Sequence, residues 1–232
     1  MPLAADIRTA LRAAADPERA PGQQAYMKSD MPFLGVRVPE ARRIAVLLSK
    51  TTTDASALLA TAVRLWDEAR YREERYAAMA LLSARPLRGD PALVPAVEHM
   101  VRTGRWWDYT DELAHRLADL HDSRPEATAA LARVWARDTD MWIRRIAILS
   151  QLGRGIRVDP VLLAETIEPN IGDGEFFIRK AIGWALREYA RVDSGWVRAY
   201  VETRALSPLS RREALKHLTG VRPGNGAERP TD

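Results

Sequence analysis

EFFIRKAIGWALREYAR, residues 175–191, decides the fold class. Ile178, Ile182, Ala185 and Tyr189 recur at spacings of four, three and four, the period of a helix with one face toward a core. Lys180, Trp184, Arg187 and Arg191 repeat that spacing on a neighbouring face, so the helix also carries three cations around an indole. Two readings fit the second stripe. It grips a phosphate backbone while the indole touches sugar or base, or it is a solvated basic face whose Trp completes packing.

Working outward, apolar residues recur at threes and fours along almost the whole chain, and alternating β-branched runs are hard to find, so the sequence predicts an all-α protein. Asp16-Pro17, Asp90-Pro91 and Asp159-Pro160 each precede an apolar-periodic run and read as an Asp N-cap followed by Pro in the first turn. Ser210 with Glu213 reads as a capping box. Together with Pro39, Asp54 and Asp138-Thr139, these marks cut the chain into about a dozen short helices. Uniform short helices favour a stacked array of helical pairs, and the absence of a fixed-period signature leaves a degenerate HEAT-like repeat. The expected organisation is a single repeat domain over residues 1–219 and a flexible Gly- and Pro-rich tail over 220–232.

With 232 residues, 47% hydrophobic and 28% charged, the chain can bury one continuous core. The lack of cysteine excludes disulfides, thiolate catalysis and Cys-ligated metal. The first twenty residues carry charges every few positions, and no apolar run reaches the roughly 18 residues of a membrane span, so the expected location is the cytoplasm. Net charge is +4, and residues 175–218 hold nine Lys and Arg against five acids while the rest of the chain balances. That asymmetry favours an anionic partner.

Two further segments carry candidate chemistry. In RWWDYTDELAHRLADL, residues 105–120, Trp106, Tyr109, Leu113, Leu117 and Leu120 form a core stripe, leaving Trp107 and Asp111 one turn apart on a flanking face. A carboxylate beside an indole suits stabilisation of a short-lived cation; from pattern alone, Asp108, Asp111 and Glu112 read more simply as carboxylates complementing the helix dipole. In DMWIRRIAILSQL, residues 140–152, Arg144 and Arg145 interrupt an apolar helix, and at least one should meet a carboxylate or a phosphate. His99, His115, His121 and His217 show no metal-ligand spacing and read as packing or surface residues. Gly172-Asp173-Gly174 lacks the third glycine of a dinucleotide site. No metal and no cofactor is expected.

AYMKSDMPFLGVRVPEARR (25–43), RWWDYTDEL (105–113), MWIRRIAIL (141–149), EFFIRKAIGWALREYA (175–190) and LSPLSRREALKH (206–217) together resemble the AlkD-type family of DNA alkylation repair glycosylases, in family order and over nearly the whole chain. The resemblance implies a right-handed solenoid of HEAT-like antiparallel helix pairs with a basic concave groove for double-stranded DNA. It implies cleavage of the N-glycosidic bond of N3- and N7-alkylated purines without base flipping. By motif position, Asp111 is the catalytic carboxylate, Trp107 and Trp184 its aromatic partners, and Arg145 an arginine beside the cleft. Tyr26 would lie against the backbone near the lesion and Arg187 would hold phosphate. Lys28, Arg144, Arg154, Lys180, Arg191, Arg211, Arg212 and Lys216 complete the candidate DNA-binding set. Gly153-Arg154-Gly155 departs from a lysine-rich family stretch. The expected enzyme is a monomer; the alternative is a helical-repeat module that binds DNA or protein without chemistry.

Overall fold

The computed structural model describes residues 2–218; the tail expected over 220–232 lies outside the described residues. Those residues form thirteen α-helices and no strand: α1 (Pro2–Ala13), α2 (Ala20–Met27), α3 (Val38–Ser49), α4 (Ala55–Asp67), α5 (Arg72–Leu81), α6 (Leu93–Gly104), α7 (Trp107–Ser123), α8 (Pro125–Trp135), α9 (Met141–Ile148), α10 (Pro160–Ile167), α11 (Phe176–Tyr189), α12 (Ser194–Thr203) and α13 (Pro208–Leu215). None of them is long and apolar enough to cross a membrane.

Local capping explains many of the boundaries. The side chains of Asp54, Asp140, Asp159, Asp193 and Ser207 accept from backbone N–H groups in the first turns of α4, α9, α10, α12 and α13. Each such cap satisfies first-turn N–H donors that the helix itself cannot pair. Two expected caps move. The cap of α13 is Ser207, whose Oγ accepts from the Ser210 N–H, and Glu213 is released from any capping box to serve α11. The cap of α9 is Asp140, while Asp138 accepts from the Asp140 N–H and binds Arg102. Asp16 and Asp90 cap short turns ahead of α2 and α6.

The packing is that of an all-α helical repeat. Helices α3, α5, α7, α9, α11 and α13 touch in succession and make one layer; α4 on α6 and α8 on α10 pack behind them. In a flat layer, four steps of about 8–10 Å would separate α3 from α11 by more than 30 Å. Val38 and Arg42 of α3 nevertheless line the same cleft as Trp184 of α11, so the odd-numbered layer curves around that cleft.

Candidate active site

Helix α7 runs through the middle of the curved layer. Of its expected core stripe, Tyr109, Leu113, Leu117 and Leu120 are buried as the period requires, while Trp106 precedes the helix as its N-cap and is only half-buried. That burial rotates Trp107 and Asp111 onto the concave side, where they line an open cleft of about 440 Å³. Trp184 enters from α11 and Tyr26 from α2, so four residues on three separate helices meet around one hollow. Tyr26 is 77% exposed and stands at the mouth.

Tyr26 is held there by an arrangement that the sequence did not reveal. Helix α2 ends on Lys28, which takes a left-handed conformation with φ 48° and is itself exposed. The chain then returns through residues 29–36, and the start of α5 pins it. The buried Glu73 carboxylate accepts from the N–H groups of Leu34, Gly35 and Val36 at 2.9–3.1 Å. Arg72 donates to the Ser29 hydroxyl, to Tyr76 and to Asp108 at 3.2, 3.0 and 2.7 Å. Gly35 is required at its position, since φ is +89° and a Cβ would lie 1.9 Å from the Asp16 carbonyl oxygen.

The acids of α7 have distinct partners. Asp108 accepts from Arg72 and from the Tyr76 hydroxyl, each at 2.7 Å, and is part of the wall. Glu112 pairs with Arg42 across to α3. Asp111 is gripped in a two-pronged ion pair, Arg145 Nε to Oδ1 at 2.8 Å and Nη2 to Oδ2 at 2.9 Å. The Asp111 side chain keeps 15% of its exposure and the Arg145 side chain 5%, so the carboxylate lies nearer the hollow and the guanidinium behind it. Arg145 also donates to the Phe177 carbonyl oxygen, tying α7 and α9 to α11. Behind the pair, the rings of Trp106, Trp142 and Phe177 pack with centroids 5.1–6.2 Å apart. Burial pushes the Asp111 carboxyl above its ordinary range, and Arg145 opposes that shift. The cleft thus presents a desolvated but compensated carboxylate in a hollow that two indoles also line, a site able to favour positive charge beside it.

The remaining candidate cations lie outside this hollow. Lys180 and Arg187 both bind Glu213 of α13, at 3.0 and 2.5 Å. Arg191 pairs with Glu188. Arg144 binds Asp173 and the carbonyl oxygens of Asp138 and Thr139 ahead of α9. Arg154 binds Asp122 and Gln151. Arg211 donates to the Val201 carbonyl oxygen, Arg212 is exposed on α13, and Lys216 is exposed just past its end. Conversely, His115, read from sequence as a packing or surface residue, lines the cleft one turn beyond Asp111, as does Arg42. The helical offset from Asp111 was the signal available for His115.

Among solved structures, a predicted DNA alkylation repair enzyme from Enterococcus faecalis is similar at TM-score 0.81 and 28% identity, over 89% of this chain and 98% of that one. The smu.31 protein of Streptococcus mutans UA159 shares the fold at TM-score 0.62 and 17% identity, over 78% of this chain and 92% of that one. No curated protein matches. The profile of the family described as "DNA alkylation repair enzyme" matches residues 7–218, and the chain belongs to that family.

Proposed function

We propose that the chain is a monomeric DNA glycosylase that hydrolyses the N-glycosidic bond of N3- and N7-alkylated purines in duplex DNA. The observation that carries this reading is the convergence of Trp107, Asp111, Trp184 and Tyr26 on one open cleft in a member of an alkylation-repair family. A purine alkylated at N3 or N7 already bears positive charge and leaves without a general acid, so the barrier lies in forming an oxocarbenium-like deoxyribose. Asp111 favours positive charge at the anomeric carbon and orients the attacking water; Trp107 and Trp184 flank the sugar. Arg145 fixes both carboxylate oxygens and holds them ionised against burial. Because the guanidinium sits behind the carboxylate, the negative end of the pair faces the substrate.

The test is single-turnover release of free base from duplex DNA containing N7-methylguanine. Asp111→Asn keeps an acceptor for Arg145 but removes the charge, and it is expected to slow release by about 10² to 10³ with duplex affinity nearly unchanged. Equal rates in variant and parent remove Asp111 from the chemistry. Duplex binding without base release by the parent would establish the non-catalytic module instead. Rapid release of uracil, an uncharged base that departs as an anion unless it is protonated, would contradict the mechanism.

A further inference from the structure

Beyond His115, α7 lines a second opening of about 360 Å³, and Arg42, Glu112 and His115 border both clefts. The two make one trough along α7. In the second part, carboxylates are short. Asp119 serves Arg88 at 3.3 Å and Arg116 at 3.5 Å, Asp122 serves Arg154 and Arg157, and Glu112 serves Arg42. Five guanidinium groups therefore share three acids.

Arg116 bears the consequence. Its side chain is 12% exposed, and its one ion pair among the described residues is the long contact to Asp119. Burial, with repulsion from Arg88 and Arg42, pulls its guanidinium below the ordinary value despite Asp119 and Glu112. A buried charge left under-compensated is expensive, and an external anion is the direct remedy. Arg116 lies five residues past Asp111, about 7.5 Å along the helix. That is about two nucleotide steps along a strand whose charges repeat every 3.4 Å or so.

We propose that the second cleft seats a phosphodiester group of the DNA strand that runs on from the deoxyribose seated in the main cleft, with Arg116 facing it from α7 and Arg88 from the rim. The proposal rests on the reading that the main cleft receives duplex DNA. It needs binding only, so loss of the glycosylase reading through absent base release leaves it standing.

The test is affinity for a plain duplex between 50 and 300 mM salt for the parent, Arg116→Gln, Arg88→Gln and Asp119→Asn. Each Arg→Gln variant is expected to reduce the slope of log affinity against log salt by about one, and affinity at 0.1 M salt by up to about tenfold. Arg88 is 71% exposed, so its loss cannot be confused with unfolding. Asp119→Asn releases two arginines and is expected to raise affinity, a direction that a damaged fold does not produce. Parental slopes in both arginine variants, with a parent that binds duplex, overturn the proposal. So does thermal protection by millimolar inorganic phosphate or AMP, lost in Arg116→Gln, while duplex binding stays parental; the seat then belongs to a free phosphate.

Discussion

The two halves of α7 treat charge in opposite ways. In the first half Asp108, Asp111 and Glu112 each have a dedicated arginine on another helix, Arg72, Arg145 and Arg42. In the second half Asp119 and Asp122 are each divided between two arginines. Paired charges fix geometry, which a reacting carboxylate needs; surplus cations hold a polyanion and tolerate small shifts in its position. On the proposed reading one helix would carry a rigid reacting end and a compliant gripping end, and substitutions in the two should fail differently.

The largest expected effect is on stability. Arg145→Ala leaves Asp111 buried without its counter-charge, breaks the link to Phe177, and is expected to cost about 3–5 kcal/mol of unfolding free energy by urea titration. Arg88→Gln, at the exposed rim, is expected to stay within about 0.5 kcal/mol. Similar losses in both would erase the contrast.

Acid titration sharpens it further. Because the folded Asp111 carboxyl titrates above its ordinary 3.8, base release should decline as pH falls through that raised value, earlier than for a solvated aspartate. Protonating this group relieves a buried charge, so its titration favours the fold; activity is lost without unfolding from this cause. His121 acts with the opposite sign. Burial, aided by Arg154, pushes its imidazole down to about 4 from 6.5, so the unfolded chain takes up the proton first. Stability should therefore drop by roughly 3 kcal/mol between pH 6.5 and about 4. His121→Gln is expected to flatten that drop and leave the acid limb of base release in place. Coincident loss of both limbs would assign the activity loss to unfolding.

How much of this was legible follows from the range of the forces. The faces of α7 and α11 were readable because side-chain direction within one helix is set by a fixed period: Trp107 with Asp111, and Ile178 with Ile182, fall where the spacing puts them. The need of Arg144 and Arg145 for partners was readable too, and both found carboxylates. Which carboxylates was not, because Asp111 and Asp173 lie about thirty residues away on other elements. Glu213 departs from its local pattern for the same reason. Its local spacing from Ser210 suggests a capping box, but Gly183 lets α13 approach α11 so closely that a Cβ there would lie 2.5 Å from the Cβ of Glu213. Glu73, pinning the 34–36 loop, left no pattern at all, since three backbone N–H groups carry no sequence signal.

Glu213 gives the smallest and most discriminating effect. Lys180 and Arg187 flank Trp184 at helical spacing and look from sequence like phosphate contacts, yet each occupies one oxygen of this carboxylate. Lys180 and Arg187 in turn hold the Glu213 carboxyl below its usual range, Lys180 contributing most. A phosphate arriving at α11 must therefore displace an anion already in place, whereas one arriving beside Arg116 fills a deficit. Lys180→Gln should then leave the salt slope of duplex binding nearly parental. Glu213→Gln frees both cations and should steepen the slope by about one or two, with a few-fold gain in affinity at low salt. If instead Lys180→Gln alone flattens the slope as much as Arg116→Gln does, α11 already grips the backbone in the parent. The distinction between a satisfied and an unsatisfied cationic surface would then not govern where the strand lies.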